Sequence, residues 1–160
     1  LIIPCGYRSP QEQAAKWRQG RTTSEIQSAI ATLRSSGKPY IAELIRKAGP
    51  QTGPRVTNAL PFQSAHQYKV GADMAPLING KPAWAPYVNE DDPAIIALWK
   101  AYGDIAISCG LAWGGLWRKP DKPHVEHLLF EKNMRALYGI AVKGHLTDAQ
   151  VIERLHPKEV

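Results

Sequence analysis

The chain has 160 residues, of which 44% are hydrophobic and 21% charged, a composition that predicts one compact domain spanning residues 1–160. Lys and Arg number 20 against 14 Asp and Glu, for a formal charge of +6. We therefore expect a polyanionic partner: nucleic acid, an anionic membrane face or a cell-wall polymer. Glycine and proline, 13 of each, follow no period, which excludes collagen-like, coiled-coil and solenoid folds.

Neither a membrane span nor a targeting segment is visible in the sequence. The longest apolar runs are interrupted by Pro4, Lys100 and Asp104, so none approaches the roughly 20 residues that cross a bilayer. The N-terminus has no basic segment followed by an apolar core and a cleavage site. Because the chain begins at Leu1 without Met, either a leader has been removed or the sequence is trimmed.

The first third of the chain predicts a strand followed by three helices. LIIPCGY is a short apolar run that predicts a buried strand ending at Arg8. Ser9, Pro10 and Glu12 have the spacing of a capping box and begin a helix over 10–19. TSEIQSAIATLRSSG and PYIAELIRKAG then place apolar residues at helical spacing, and each ends in a glycine.

The middle of the chain predicts loops around a polar cluster. Residues 50–62 lack a helical period and lead into QSAHQYKVGADM, where we expect the functional residues. A second irregular stretch over 79–93 predicts a surface loop that packs Trp84 and Tyr87 beside that cluster.

A long helix and a strand follow this loop. Residues 93–109 predict a helix with a broad apolar face. This face comprises Ile95, Ile96, Leu98, Trp99, Tyr102, Ile105 and Ala106. HVEHLLF predicts a strand, and two weaker helices over about 130–138 and 147–155 predict a helical C-terminal extension, 130–160, of the same domain. Cys5 and Cys109 are too few for a disulfide framework, so we interpret them as small buried hydrophobic residues, with a disulfide between them as the alternative.

Three polar residues form a candidate metal site. His66 and Asp73 are separated by seven positions, and His124 follows about 50 residues later. Two imidazole nitrogens and a carboxylate oxygen suit zinc and leave a fourth tetrahedral position for water. In the alternative interpretation, His66 lies in a polar loop, Asp73 makes a turn and His124 is a hydrogen-bonded core histidine.

Asp121 is the candidate general base. A zinc peptidase needs a carboxylate that accepts a proton from water and passes it to the leaving amine. Asp121 lies three residues before His124, and residues three apart on a strand face opposite sides. The role therefore requires a turn at Lys122-Pro123, which the proline favours.

The segments GYRSPQEQ, SAHQYKVGAD and WGGLWRKPDKPHVEH together resemble the zinc D-Ala-D-Ala carboxypeptidase / L-alanyl-D-glutamate endopeptidase family (peptidase M15-like), which includes many phage endolysins. The resemblance covers roughly residues 3–130 and implies that Zn²⁺ is held by His66, Asp73 and His124. It implies that Asp121 is the catalytic base, that Arg8 holds substrate or transition-state oxygen, and that Gln13 supports the loop. Two departures are Lys69, where the family usually has glycine, and Leu116, where it often has aspartate.

Other residues near these motifs have a functional and a structural interpretation. Ser64 either hydrogen-bonds the metal site or substrate, or caps its loop. Glu126 lies on the same strand face as His124 and is expected to orient that ligand, the alternative being an exposed strand charge. Trp113 and Trp117 are candidate substrate contacts but are more typical of a core.

Two further residues have open assignments. His127 lies on the opposite strand face from His124 and is the rival ligand if His124 is misassigned. Arg8 could simply pair with a surface carboxylate, although its guanidinium fork also suits a substrate carboxylate or carbonyl.

These features together predict an α+β domain in which a small antiparallel sheet carries a zinc site and helices pack on one side. We expect a peptidoglycan stem-peptide hydrolase, an L-alanyl-D-glutamate endopeptidase acting as a phage or prophage endolysin. The alternatives are a D-alanyl-D-alanine carboxypeptidase and a non-catalytic zinc-containing wall-binding module. The expected partner is bacterial peptidoglycan. We expect the protein to be a monomer that neither binds nucleic acid nor inserts stably into a membrane. The expected location is the host cytoplasm until release to the cell wall.

Overall fold

The computed structural model describes residues 1–142 and 150, which form helices around two small sheets. The helices are α1 (Pro10–Arg18), α2 (Thr23–Ser35), α3 (Pro39–Lys47), α4 (Pro93–Ser108) and α5 (Phe130–Ala141), and the strands are β1 (Ile2–Cys5), β2 (Gly71–Ala75), β3 (Leu77–Ile78), β4 (Lys81–Pro82), β5 (Leu111–Trp113) and β6 (His124–His127). Two short 3₁₀ helices cover Ala65–Tyr68 and Gly114–Leu116. The helix predicted over 147–155 lies outside the described residues, except for Gln150.

The helices begin where the sequence supplies capping groups. Ser9 and Glu12 form a reciprocal capping box at the start of α1, and Thr22 and Glu25 form another at α2. The Asp92 side chain accepts a hydrogen bond from Ala94 N at the start of α4. Each cap satisfies backbone N–H groups that have no partner within the helix. The helices predicted over 10–19, 93–109 and about 130–138 are thus confirmed to within a few residues.

The larger sheet has the strand order β1-β2-β6-β5, and each neighbouring pair is antiparallel. Its register places Cys5 opposite Asp73, and Asp73 opposite His124. Directly opposed residues point to the same face of a sheet, so these three side chains form one row across three strands. The predicted α+β fold with a small antiparallel sheet is confirmed.

Three buried clusters hold the helices in place. Helices α1, α2 and α3 pack around Trp17, Leu33, Ile41 and Ile45. Helix α5 covers the first 3₁₀ helix through Leu137 and Phe130, among others. A third cluster packs α4 on the sheet face that carries Ala72 and Val125, opposite the row formed by Cys5, Asp73 and His124. The open face of the row is therefore left for a site.

Three sequence predictions about burial are wrong. Strand β1 is exposed, with Ile3 63% accessible, because it lies at the edge of the sheet and pairs only with β2. On the predicted apolar face of α4, Ile96 and Ile105 are exposed because the narrow sheet covers only part of the helix. Cys109, at the end of α4, is also exposed, and both cysteines are free thiols.

The irregular stretch over 79–93 begins within a small hairpin. Strands β3 and β4 are joined by Asn79-Gly80, whose φ angles are 50° and 79°. Two consecutive positive φ angles are typical of a type I′ turn, for which Asn-Gly is favoured. The prediction from sequence for this stretch was only a surface loop and did not use this dipeptide. In the described part of the chain, no helix combines the length and apolarity that a membrane crossing requires.

Candidate metal centre

The row on the open sheet face and the first 3₁₀ helix together enclose a cavity of about 240 Å³. This central cavity is lined by Val56, Thr57, Ala59, Gln63, Ser64 and Ala65 and by the side chains of Arg8, His66, Asp73, Trp117, Asp121, His124 and Glu126. The loop over 50–62, the sheet and the turn before β6 thus converge on one space. The central cavity is lined by all three predicted metal ligands and by the predicted general base.

His66 faces Asp73 with its unprotonated ring nitrogen. Its Nδ1 lies 2.7 Å from the carbonyl oxygen of Gly6, which can only accept a hydrogen bond. Nδ1 therefore carries the proton, and the lone pair is on Nε2, which lies 3.2 Å from Oδ1 of Asp73. A carbonyl that fixes the tautomer in this way is common behind metal-binding histidines.

His124 is oriented in the same manner by a carboxylate. Its Nε2 lies 3.1 Å from Oε2 of Glu126, which leaves Nδ1 to face Oδ1 of Asp73 at 3.1 Å. His124 and Glu126 are both buried, and they lie two residues apart on one strand face. Glu126 is thus placed to hold the imidazole of His124 rather than to act as an exposed strand charge.

The donor types of the predicted site suit a zinc ion. Ligand atoms about 2.0–2.1 Å from one tetrahedral zinc are roughly 3.3 Å apart. The nitrogens of His66 and His124 lie 3.2 Å and 3.1 Å from Oδ1 of Asp73. Two imidazoles and one carboxylate would leave a fourth position open to the central cavity. The chemistry of these donors therefore suits zinc, as does the distance of each nitrogen from Oδ1, but the donors that all lie within 4.8 Å of one another include Cys5 in place of His124.

Cys5 is a further donor that sequence analysis did not identify. Donor atoms of Cys5, His66 and Asp73 lie within 4.8 Å of one another, so this cluster could hold a metal ion. The Sγ atom of Cys5 lies 3.9 Å from Nδ1 of His66, the nitrogen that is hydrogen-bonded to the carbonyl of Gly6. The same Sγ accepts a hydrogen bond from Nη2 of Arg8 at 3.1 Å. Only the β1–β2 register brings Cys5 beside Asp73, and no sequence motif indicates it.

The central cavity favours an ionised Asp73. Burial raises the pKa of this carboxyl, but its contacts with the imidazoles of His124 and His66 more than compensate, and the pKa falls well below its usual range. Burial likewise opposes protonation of His124, yet its contacts with Asp73 and Glu126 raise its pKa to about 9. His124 therefore takes up a proton more readily than a free imidazole does.

Asp121 is held at the cavity by a tight turn. The N–H of His124 donates to the carbonyl of Asp121 at 3.1 Å, and Lys122 and Pro123 occupy the turn between them, as predicted. The N–H of Asp121 in turn donates to the carbonyl of Gly114 at 2.9 Å. Burial of its carboxyl and the negative charge of Asp73 raise the pKa of Asp121. A raised pKa brings a carboxylate closer to the value that suits a general base.

Arg8 is fixed at the cavity wall by a chain of hydrogen bonds. Its Nη1 donates to Oε1 of Gln13 at 2.9 Å, and Nε2 of Gln13 donates to the carbonyl of Ala59 at 2.7 Å. Gln13 is fully buried, so it ties the start of α1 to the loop that lines the cavity. Nη2 of Arg8 lies 3.9 Å from Oδ2 of Asp73, which places the guanidinium beside the metal ligands.

The remaining predicted residues divide into cavity-lining and structural groups. Trp117 lies over His124, with ring centroids 5.1 Å apart, and Ser64 lines the cavity without making a side-chain cap. Trp113 packs in the α4 cluster and donates from Nε1 to the carbonyl of Lys122, which supports the turn rather than the cavity. His127 accepts a hydrogen bond from the N–H of Leu129 and does not line the central cavity.

Lys69 and Leu116, the two departures from the family pattern, leave the backbone and lining of the site unchanged. Lys69 ends the first 3₁₀ helix with φ 60°, the left-handed conformation that glycine adopts most readily. The turn therefore keeps the backbone shape that a glycine would give. Leu116 is 71% exposed and is absent from the lining of the central cavity.

Gly114 allows the turn to approach the sheet. A Cβ at this position would lie 2.6 Å from the carbonyl oxygen of Asp121 and 3.2 Å from Cβ of His124. We expect Gly114→Ala to lower the free energy of unfolding by about 1–3 kcal/mol, as overpacking does, and to weaken metal binding. Chemical denaturation and zinc titration would measure both effects. Gly139→Ala is the control, since a Cβ in that part of α5 meets nothing within 4 Å; an equal loss in both variants would contradict this role of Gly114.

Glu126 should set the affinity for metal without binding it. Glu126→Gln keeps the shape of the side chain but weakens the acceptor for Nε2 of His124, and we expect an affinity for zinc 10–100-fold lower, as is typical for such partners. Competition with a chromogenic chelator would measure it. Asp104→Asn, at an exposed carboxylate of α4 outside the central cavity, is the control. Unchanged affinity in Glu126→Gln would show that the His124–Glu126 contact does not support the site.

Comparison with known proteins relates the same part of the chain to a peptidase family. Residues 57–127 match a family model described as D-alanyl-D-alanine carboxypeptidase. No curated protein has a significant match to the chain. The matched segment contains His66, Asp73, Asp121 and His124 but not Arg8. The match supports a relationship of the chain to the M15 metallopeptidases that act on peptidoglycan.

Proposed function

We propose that the protein is a zinc-dependent peptidoglycan stem-peptide hydrolase and that it cuts the L-alanyl-D-glutamate bond. The observation that carries this proposal is the shared cavity: nitrogens of His66 and His124 each lie within 3.2 Å of Oδ1 of Asp73, and Asp121 and Arg8 line the same space. The family match supports the reaction class. The choice of the L-alanyl-D-glutamate bond is a further step of this proposal.

Each residue has a distinct task in this reaction. His66, Asp73 and His124 would hold the zinc ion, which when bound activates a water molecule by lowering its pKa to about 7. Asp121 accepts the proton that this water loses and delivers it to the nitrogen of the leaving amine. Arg8, held by Gln13, stabilises the negative charge that develops on the peptide carbonyl oxygen.

Space beside the central cavity favours cleavage within a peptide. Asp121 also lines a neighbouring cavity of about 500 Å³ that includes Trp84 and Trp99. Trp117 and Glu126 also line a third cavity, of about 390 Å³, that includes Phe130. These two spaces give room for a substrate that extends beyond the metal site, as an endopeptidase requires.

A second candidate is a D-alanyl-D-alanine carboxypeptidase. The description of the matching family model favours it, and so does Arg8, whose guanidinium could clamp a free terminal carboxylate. In that reaction only the terminal D-Ala leaves, so one of the two flanking cavities would have no peptide to bind.

The biological setting follows from the same proposal. The formal charge of +6 favours attraction to an anionic cell wall, and we propose bacterial peptidoglycan as the partner of a monomeric enzyme that binds neither nucleic acid nor the membrane interior. We further propose that it acts as a phage or prophage endolysin, which remains in the host cytoplasm until it reaches the wall.

The test is to identify the new termini in purified peptidoglycan after incubation with the zinc-loaded protein. Mass spectrometry should show a new D-Glu amino terminus, and a chelator-treated sample should show none. Release of D-Ala alone would establish the carboxypeptidase instead. Bound zinc without any cleavage would contradict both activities and support a wall-binding module.

A further inference from the structure

The cavity behind Trp117 is lined by both apolar and polar side chains, and the proposed cleavage step gives it no chemical role. This rear cavity has a volume of about 390 Å³ and is lined by Gln63, Trp117, Arg118, Glu126, Phe130 and Met134. Phe130 is buried in the first turn of α5 and packs with Met134 beside the first 3₁₀ helix. Together with the half-exposed indole of Trp117, these two side chains give the cavity an apolar body. Such a space suits an aliphatic chain several carbons long.

Arg118 supplies the accessible charge of the rear cavity. It is exposed and, among the described residues, has no carboxylate partner. Glu126 lines the same cavity, but its side chain is only 10% exposed and its Oε2 is engaged by Nε2 of His124. A guanidinium without a partner beside an apolar space favours a ligand that ends in a carboxylate.

Gln63 adds a second group that can bind a carboxylate. Its Oε1 accepts the N–H of Leu60 at 3.0 Å, which leaves its amide N–H groups as donors toward ligand. Gln63 lines both the central and the rear cavity. A ligand group bound between Gln63 and Arg118 would therefore lie next to the reacting centre.

The rear cavity is one aromatic ring away from a proposed metal ligand. Trp117 separates the two spaces, and its ring centroid is 5.1 Å from that of His124. Gln63, Trp117 and Glu126 line both the central and the rear cavity, so the two spaces adjoin. A residue in the rear cavity would thus be close in sequence to the bond that is cut.

We propose that the rear cavity is a substrate subsite for an acidic residue of the stem peptide and that Arg118 selects its ionised carboxylate over the corresponding amide. This inference rests on the proposed function, because it names the part of the peptide that the same cleft recognises. It makes Arg118 a specificity-determining residue that takes no part in the bond cleavage itself.

The experiment compares two substrates in three proteins. The substrates are a stem peptide whose acidic residues carry free carboxylates and the same peptide with those side carboxyls amidated. The proteins are the zinc-loaded wild type, Arg118→Gln and Lys119→Gln; Lys119 is the neighbouring exposed cation, and it is absent from the lining of the rear cavity. Values of kcat and KM are measured for each combination, together with zinc content.

We expect Arg118→Gln to lower kcat/KM for the free-acid peptide about 10–100-fold, the range of a lost hydrogen bond to a charged group. The loss should appear in KM, the amidated peptide should be cut as by the wild type, and Lys119→Gln should retain the preference. Zinc content should be equal in all three proteins.

Three outcomes would overturn the inference. Equal losses on both peptides in Arg118→Gln would show that Arg118 acts on the fold or the whole cleft. An equal rate on both peptides by the wild type would show that no carboxylate is selected, while the proposed hydrolase would stand. If neither peptide is cut and zinc is bound, the proposed function itself fails and this inference fails with it.

Discussion

Asp121→Asn should retain zinc and lose hydrolysis. The amide has nearly the shape of the carboxylate, and the turn is held by backbone hydrogen bonds between Gly114, Asp121 and His124 that the change leaves in place. What is lost is the group that accepts and delivers the proton. We expect kcat on a stem peptide to fall at least 10²–10⁴-fold, the usual contribution of a general acid–base, with unchanged zinc stoichiometry.

The matched control is Asp104→Asn. Asp104 is an exposed carboxylate on α4 whose Oδ2 pairs with Lys100 at 2.6 Å, and an exposed pair of this kind contributes little to stability. Kinetics and metal analysis should leave this variant like the wild type. An Asp121→Asn protein that remained fully active would remove Asp121 from the proposed reaction. Loss of zinc together with activity would instead indicate that Asp121 supports the metal.

Local elements of this fold were predictable because their determinants are local. Capping boxes at Ser9 and Thr22 involve residues three positions apart, and glycines such as Gly37 and Gly49 take positive φ angles where helices end. The Lys122-Pro123 turn was predictable for the same reason. Burial was not, because exposure of Ile3 or Ile105 depends on which neighbour covers an edge strand or a helix face.

The candidate site was predictable as a set of residues and not as an arrangement. The family-like segments identified His66, Asp73 and His124, but the position of Cys5 beside Asp73 depends on the pairing of β1 with β2. The Gly6 carbonyl that orients His66 likewise comes from a segment 60 residues away. Register between distant strands is set by packing of the whole sheet, which the sequence of one strand does not reveal.

His124→Ala should abolish stable metal binding and lower stability. His124 is 6% exposed and contacts both Asp73 and Glu126. Its removal therefore deletes one proposed metal ligand and leaves a void between these two carboxylates. We expect the zinc stoichiometry after dialysis to fall from about one toward zero and the rise of Tm on adding zinc to disappear, because metal binding is coupled to folding. Metal analysis and thermal denaturation with and without zinc would measure both.

His127→Ala decides between the two histidines of β6. His127 lies on the other face of the strand, where its Nδ1 accepts the N–H of Leu129. We expect this variant to keep its zinc and the zinc-dependent rise of Tm, even if its stability is lower. If His124→Ala kept its zinc while His127→Ala lost it, the ligand would be His127, and the row of Cys5, Asp73 and His124 would not be the metal site.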